Sequence, residues 1–397
     1  MNVRSTNSPR NSRTLLLLSA WALCRALGST PSAAQEPVCS GAKGTTPESK
    51  ECIDHDRTPG KNHKERGTFV AVPLPISSPA LGSGAVPLVA YIFSLPTKEE
   101  TAVPSVVAAT GLLTNNGSRG FAVGGELYFK ENRYRATTAF VRGNLNYNLY
   151  GLGSGNSQAK LPLNQDGQAF FAELLRRIGW GVFLGPRFLR GSSQITLRTA
   201  DVGTVPLPPD LGVHTPLTAM GLRLDRDTRP NRFYPTTGTL LDFTADFFSQ
   251  GLGSKYSFQS YKFNFSKYGS LTKNQILAYN LFACVTGGQP PFYGNCVYGT
   301  NNQLRGYIAG QYLDRYMVGT QLEYRLALPK RFGVVAFGGL GEVVPGGNQP
   351  FRGSNFLPSG GAGARFELSN KYHVNLRADF AKGKDGHTWS IGVGEAF

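Results

Sequence analysis

Charged residues and long hydrophobic runs are both scarce in this chain of 397 residues. Asp, Glu, Lys and Arg make up 17% of the sequence, whereas soluble domains carry about a quarter. With 49 Gly, 25 Phe and 17 Tyr, this composition argues against a disordered chain and against a coiled coil. The 25 Pro exclude a largely helical protein, because proline breaks helix interiors. Beyond the N-terminal region, no stretch approaches the roughly 18 consecutive apolar residues of a transmembrane helix.

The sequence also lacks the common catalytic and ligand-binding motifs. It contains no Gly-x-Ser-x-Gly elbow, no His-Glu-x-x-His pair and no phosphate-binding Gly-Lys-Ser/Thr loop. The cysteines and histidines near positions 39–63 lack the closely spaced cysteine pairs of zinc sites. The formal net charge is +16, but Lys and Arg are scattered rather than clustered, which disfavours nucleic-acid binding. We therefore predict a non-enzymatic protein with no cofactor, no metal and no nucleic-acid partner.

An export signal occupies the N-terminus. Three arginines precede an apolar run over 15–27, and the small residues Ser32-Ala33-Ala34 follow as a cleavage site, which is the pattern of a secretory signal peptide. The run is too short for a spanning anchor, which needs about 20 apolar residues. We predict a signal peptide over 1–34 and a polar linker over 35–67, which is too short for a typical domain.

The exported chain would keep an even number of cysteines, namely Cys39, Cys52, Cys284 and Cys296. Disulfides are typical of exported proteins. Proximity in sequence favours two short loops, 39–52 and 284–296, although three connectivities are possible.

From position 68 onward, apolar and polar residues alternate with a period of two. In 238–248, for example, Leu241, Phe243 and Phe247 oppose Asp242 and Asp246. This pattern is typical of strands with one apolar and one polar face, and a soluble sandwich would also produce it. The strands approach the roughly 9–11 residues that cross a bilayer, and their polar faces carry both charge signs, as a watery or plugged lumen requires. We therefore predict an all-β fold, a transmembrane antiparallel β-barrel over 68–397.

Sixteen strands are predicted, an even number as in bacterial single-chain barrels. Residues near 191–215 and 285–314 form the longest predicted loops. The strands lie near 68–75, 85–95, 103–113, 119–130, 133–145, 167–177, 179–190, 217–227, 238–249, 255–267, 273–284, 315–328, 331–344, 359–368, 371–380 and 387–397.

The last predicted strand ends on an aromatic residue. Trp389, Ile391, Val393 and Phe397 share its apolar face, interrupted by Glu395. A terminal Phe on an alternating strand resembles the signal that outer-membrane assembly machinery recognises on its clients. This feature favours location in the bacterial outer membrane, in contact with outer-membrane lipid.

The second long loop carries the sequence Leu304-Arg305-Gly306-Tyr307. With it, the chain resembles the BamA/TamA family of outer-membrane insertases, also called the bacterial surface antigen family. Barrels of that family carry an Arg-Gly-aromatic motif at the tip of a loop that folds into the lumen between strands eleven and twelve. The resemblance implies the same inward loop here.

An acidic–Pro–Gly segment of the family is matched by Asp225, Asp227, Pro235 and Gly238. The chain departs from the family on strand thirteen, where Gly339 stands in place of the usual lumenal Asp that pairs with the loop arginine. A lumenal guanidinium still favours a carboxylate partner.

We predict that Glu323 is the partner of Arg305, with Asp379 and Glu342 as further candidates. The alternative places Arg305 in a solvated outer loop.

The resemblance implies that the barrel assists assembly or translocation of proteins at the outer membrane. Family members carry periplasmic POTRA domains, for which 35–67 is too short, so we expect a barrel-only member that acts on client proteins with a separate periplasmic partner. Gly392 and Gly394 on the closing strand would weaken the barrel seam or, alternatively, allow tight lumenal packing. A passive channel or structural surface barrel with a plugged lumen is the alternative function.

Overall fold

The computed structural model describes residues 67–78, 81–93, 95, 104–150, 160–198, 211–298, 303–308, 311–344, 356–369 and 373–397. The predicted signal peptide, nearly all of the predicted linker, and both Cys39 and Cys52 lie outside these residues. None of the helices in the described ranges has both the length and the apolar character needed to cross a membrane.

Strands dominate the described part of the chain, and two 3-10 turns, Gln250–Leu252 and Phe292–Gly294, interrupt the connections. The strands are β1 (Thr68–Ser78), β2 (Gly82–Phe93), β3 (Ser105–Thr114), β4 (Arg119–Phe129), β5 (Tyr134–Tyr150), β6 (Lys160–Gly179), β7 (Val182–Leu197), β8 (Thr215–Asp227), β9 (Gly238–Phe248), β10 (Phe258–Thr272), β11 (Gln275–Gly288), β12 (Cys296–Val297), β13 (Leu313–Asp314), β14 (Tyr316–Ala327), β15 (Phe332–Val344), β16 (Phe356–Ser369), β17 (Val374–Gly383) and β18 (Gly386–Val393).

The long strands close into one antiparallel barrel. Each strand pairs with its neighbour in sequence, β11 pairs with β14, and β18 meets β1, which gives sixteen strands in the described barrel. The short strands β12 and β13 form a separate ladder within the connection from β11 to β14. The predicted fold class and strand count are confirmed. The two longest connections follow β7 and β11 and leave the barrel at the end opposite Thr68, as is typical of loops that face the cell exterior.

The side chains are arranged inside out relative to a soluble protein. On β8, Met220 and Leu222 point outward and are 56% and 52% exposed, whereas Arg223 and Asp225 point inward and are 8% and 4% exposed. Exposed apolar side chains of this kind, repeated on strand after strand, require a lipid environment. The soluble-sandwich alternative is excluded, because its apolar face would be the buried one.

Two central strands, β6 and β7, are longer than the sequence indicated. β6 begins at Lys160 rather than near 167, and β7 continues to Leu197, so the predicted loop over 191–215 is wrong for its first part. The extended ends pair with each other, for example Leu163 with Leu197. They are buried beneath the connection after β11, in a cluster of Leu161, Leu163, Ile195, Leu217, Phe258, Phe292 and Tyr293. This nonlocal cover explains why strand structure continues past the usual spanning length.

Candidate functional site

The connection between β11 and β14 folds into the lumen, and three contacts anchor its base. A disulfide joins Cys284 on β11 to Cys296 in the connection, with the two Cα atoms 5.8 Å apart. The β12–β13 ladder pairs Cys296 with Asp314. Tyr298 is fully buried and donates its hydroxyl hydrogen bond to the carbonyl of Val318 on the barrel wall. The loop therefore leaves β11 already fastened to the inner face.

The tip of this loop packs against glycines of the wall. Leu304 is 1% exposed, and a Cβ added at Gly341 would lie 2.6 Å from its Cδ2 atom. Gly306 has a φ of +109° and lies against the backbone of Lys382 and Gly383, a conformation and an approach that only glycine allows. Wall and loop thus fit each other without side chains at these points.

Tyr307 fastens the tip to the last strands of the barrel. Its hydroxyl donates to the carbonyl oxygen of Pro358 over 2.7 Å and accepts from the backbone N–H of Lys384 at 3.1 Å. Burial raises the pKa of Tyr307 to about 12, so the phenol keeps its proton at neutral pH and remains the donor in the bond to Pro358.

Arg305 lies at the centre of the lumenal site. Its Nη1 atom is 2.6 Å from Glu323 Oε2 on β14 and 3.2 Å from Asp379 Oδ2 on β17. Its Cζ atom lies 3.4 Å from the ring centroid of Phe337 on β15, a cation–π geometry. Arg305 as a whole residue is 6% exposed. The alternative of a solvated outer loop is therefore wrong, and one guanidinium connects the loop to three wall strands.

Further charges surround this contact and alternate in sign. Arg325 Nε is 2.6 Å from Glu323 Oε1, and Arg365 contacts Asp379 at 2.6 Å and Glu395 at 2.9 Å. We call this set the Arg305 cluster: Arg305, Glu323, Arg325, Arg365, Arg377, Asp379 and Glu395. Each of its carboxylates pairs with at least one arginine, as buried charges require.

Strand β15 has no acidic partner for Arg305 because other groups occupy that space. A Cβ added at Gly339 would lie 2.8 Å from Gln321 Cγ and 3.0 Å from Leu304 Cδ1. Gln321 accepts the backbone N–H of Arg305 at 3.3 Å. Glutamine on β14 and the loop leucine thus fill the place of the family Asp, and the carboxylates reach Arg305 from β14 and β17 instead.

Glu342, the third predicted partner, is not in contact with Arg305. It is buried on β15 and directs its backbone N–H to the hydroxyl of Tyr298 at 3.1 Å. Glu342 shares the strand parity of the exposed Val334 and Leu340 on β15, whereas Glu323 shares that of the buried Gln321 and Arg325 on β14. Strand parity alone therefore argues against Glu342 as a partner of Arg305.

A second segment, 228–237 between β8 and β9, reaches the Arg305 cluster from the end of the barrel at which β1 begins and β18 ends. Asp225 pairs with Arg135 at 2.8 Å, and Asp227 pairs with Arg229 at 2.9 Å. The carbonyl of Pro235 accepts from Arg325 at 3.4 Å, while Gly238 has a φ of +91°. The acidic–Pro–Gly match therefore folds inward, an arrangement that the sequence pattern did not predict.

The final residues depart from the predicted strand. β18 ends at Val393, and Phe397 does not share the outward face of Trp389 and Ile391. Its carbonyl accepts from Arg325 at 3.1 Å, and its ring centroid lies 5.9 Å from Arg305 Cζ. Glu395 explains the turn, since its carboxylate accepts from Arg365 and from Asn375. Glu395, which interrupts the apolar face in the sequence, therefore binds polar and charged side chains inside the lumen.

Sequence reasoning missed Gln321, Phe337, Arg365 and Glu395 as members or neighbours of the site. Gln321 shares the inward parity of Glu323, which was an available signal, whereas the contact of Phe337 depends on where the loop tip lies. Within the described ranges, no group of three or more His, Cys, Asp or Glu side chains is placed to hold a metal ion.

The fold and the inward loop define a transmembrane β-barrel of the outer-membrane type. A family model described as the Omp85 superfamily domain matches residues 126–397, and the chain belongs to the Omp85 superfamily. This confirms the resemblance to BamA/TamA barrels and indicates an outer-membrane location.

Solved structures of similar fold include BamA from Haemophilus ducreyi lacking POTRA domains 1–3, with a TM-score of 0.55 and 13% identity over 83% of this chain and 70% of that one. CdiB from Acinetobacter baumannii matches with a TM-score of 0.54 and 14% identity, over 83% of this chain and 60% of that one. CdiB from Escherichia coli matches with a TM-score of 0.54 and 12% identity, over 84% and 63%. The chain thus spans about three fifths of each CdiB chain. No curated protein matches the chain at a significant level of sequence similarity.

Proposed function

We propose that this chain is an insertase-type barrel that assists assembly or translocation of client proteins at the outer membrane, together with a separate periplasmic partner. The proposed mechanism is physical and not enzymatic. Client strands would enter through the seam between the first and last strands, where backbone groups become available for pairing. Membership of the Omp85 superfamily supports this proposal.

The observation that carries the proposal is the weakness of that seam. Among the described residues, Ser77 with Ile391 is the one pair that joins β1 to β18. By contrast, the β1–β2 ladder runs continuously from Thr68–Ile92 to Ser78–Gly82. An edge this poorly paired is a template for another strand, and opening it breaks few hydrogen bonds.

The Arg305 cluster supports the same proposal from inside the barrel. It connects the loop to β14, β16 and β17, and Tyr307 reaches the turn before β18. These strands form the wall on one side of the seam. A braced wall would remain ordered while the seam opens, so that the edge of β18 keeps its geometry.

A reversible lock on the seam tests this function. We expect the double variant Ser77→Cys/Ile391→Cys, in a background without Cys24, Cys39 and Cys52, to lose insertion of an unfolded eight-stranded outer-membrane barrel into vesicles when oxidised. Activity should return on mild reduction. The matched control, Val70→Cys/Ala90→Cys, links residues paired within the β1–β2 ladder and should insert normally in both states. Full insertion by the oxidised seam variant would contradict the proposal.

A passive channel remains the second candidate, and the charged lumen favours it. Sixteen strands enclose enough space for an aqueous path, and the lumenal charges would set its selectivity. Single-channel conductance distinguishes the two candidates: large, steady currents in the wild-type protein indicate a channel, whereas small, flickering currents indicate a lumen closed by the loop.

A further inference from the structure

The two edges of the seam differ in the backbone groups that they present. In an antiparallel ladder, alternate residues direct both N–H and C=O to the same neighbouring strand. The N–H of Asn115, just after β3, donates to the carbonyl of Ser83 over 2.8 Å, so odd-numbered residues of β2 face β3. Even-numbered residues of β2 therefore face β1, which sets the pattern of the β1–β2 ladder.

Two prolines of β1 consequently face the seam. Val72 pairs with Leu88 and Leu74 with Val86, so the N–H and C=O groups of the even-numbered residues of β1 hydrogen-bond to β2. The intervening pair, Pro73 with Pro87, has no N–H on either side, which agrees with this assignment. Pro73 and Pro75 thus direct a ring carbon, and not a donor, toward the seam.

The edge of β18 has no such gap. The N–H of Gly394 donates to the carbonyl of Asn375 over 2.7 Å, so even-numbered residues at this end face β17. The odd-numbered residues His387, Trp389, Ile391 and Val393 face the seam, and each carries both an N–H and a C=O. Four consecutive pairing positions are therefore intact on β18.

The register explains why the seam ladder does not continue from Ile391 toward the C-terminus. Continuing from Ser77–Ile391 in antiparallel register places Val393, the last residue of β18, opposite Pro75. Pro75 cannot donate to the carbonyl of Val393, and an unpaired carbonyl in a bilayer is strongly unfavourable. Beyond Val393 the chain turns inward, where Glu395 binds Arg365 and Asn375, so it gives Pro73 no partner. Gly392, which was considered as the weak point, lies instead against the side chain of Arg377 in the lumen. The prolines, more than the glycines, limit the seam.

We propose that β18, and not β1, is the strand on which an incoming transmembrane strand of a client is templated; this rests on the function proposed above. The client strand runs antiparallel to β18 and hydrogen-bonds to His387, Trp389, Ile391 and Val393. Trp389 and Ile391 are 63% and 42% exposed on the lipid side, so the client presents apolar side chains beside them. On β1, a strand of bilayer length would leave two carbonyls without donors opposite Pro73 and Pro75. The family match begins at Glu126, so β1 lies outside it.

Cysteine crosslinking during insertion tests which edge is used. The probe is an unfolded eight-stranded outer-membrane barrel, with a single cysteine placed in each strand in turn, added to the barrel in phosphatidylethanolamine/phosphatidylglycerol vesicles. We expect client disulfides to form with His387→Cys and Trp389→Cys on β18. We expect none to form with Phe69→Cys or Ala71→Cys on β1. Insertion accompanied by crosslinks mainly to β1 would overturn this inference and leave the proposed function standing. Failure of the wild-type protein to insert the probe would overturn both.

Restoring the missing donors provides the second measurement. We expect Pro73→Val/Pro75→Val to gain client crosslinks at Ala71→Cys, because the β1 edge then offers an uninterrupted row of donors. Pro87→Val is the matched control, since Pro87 faces β3 and its replacement leaves the seam edge unchanged. No gain in the double variant, or an equal gain in the control, would contradict the role assigned to Pro73 and Pro75.

Discussion

At the scale of single residues, Arg305 is the contact on which the closed lumen depends. A guanidinium has five donors in a planar fork and keeps its charge at any accessible pH. Here its Nη1 atom contacts both Glu323 and Asp379, while the face of the guanidinium lies over the ring of Phe337. Because the two carboxylates lie on different strands, one side chain holds the loop tip to separate parts of the wall.

Replacing this residue should open the lumen. We expect Arg305→Ala to convert small, flickering openings into larger and longer ones in planar bilayers, because the loop tip loses both of its ion pairs. Glu323 and Asp379 keep Arg325 and Arg365 as partners, so the barrel itself should still fold.

Arg315→Ala is the matched control for the conductance measurement. Arg315 belongs to the same connection but is exposed, and it lies outside the Arg305 cluster. Its replacement should leave the conductance unchanged. Identical currents from the Arg305→Ala and wild-type proteins would show that the loop tip does not obstruct the lumen.

At the scale of elements, the connection between β11 and β14 is held by a disulfide at its start and by side-chain contacts at its tip. The Cys284–Cys296 disulfide closes a short loop, with a sequence separation of 12. The buried cluster around it includes Phe282, Tyr298, Leu304, Tyr307 and Met317. A disulfide and apolar contacts therefore both stabilise the connection between β11 and β14, which also carries the buried charge of Arg305.

Removing the disulfide should destabilise the barrel. We expect Cys284→Ser/Cys296→Ser to lower the free energy of unfolding by about 2–4 kcal/mol, since a crosslink restricts the unfolded chain. Urea titration of the refolded protein in detergent, followed by tryptophan fluorescence, measures the difference. Cys39→Ser/Cys52→Ser removes the other predicted pair, which precedes the predicted barrel in the sequence, and should leave the midpoint unchanged. Equal midpoints for both double variants would deny the disulfide a role in stability.

At the scale of the whole molecule, an apolar outer surface encloses a charged interior. Leu222, near the middle of β8, is 52% exposed, whereas Arg223 beside it is buried with partners at Asp242 and Glu173. This arrangement is stable only where lipid covers the outside and paired charges fill the inside.

A charge on the lipid face should therefore be costly in proportion to its depth. We expect Leu222→Arg to destabilise the barrel folded in vesicles by about 2–4 kcal/mol. Leu271→Arg should destabilise it by no more than about 1 kcal/mol, because Leu271 lies near the rim at the end of β10. Equal effects at the two positions would argue against a membrane-spanning orientation of these strands.

Much of this fold could be predicted from local pattern. The period-two alternation located all sixteen strands, because each spanning strand must place one side in lipid and the other in the lumen. The strand count placed the Arg305 loop between strands eleven and twelve, and the family resemblance implied its inward course. Glu323 and Asp379 were candidates because of their inward parity. The longer ends of β6 and β7 were missed, since the loop that buries them is distant in sequence.

By itself, the sequence determined the class of fold, the alternation of faces and the charged residues available to the lumen, because these depend on residues two positions apart. The tertiary structure alone decided which carboxylates meet Arg305, that Phe397 turns inward, and that Pro73 and Pro75 face the seam. Those features depend on the register between strands and on where loops come to lie. Both are set by hydrogen bonds and packing between residues far apart in the chain.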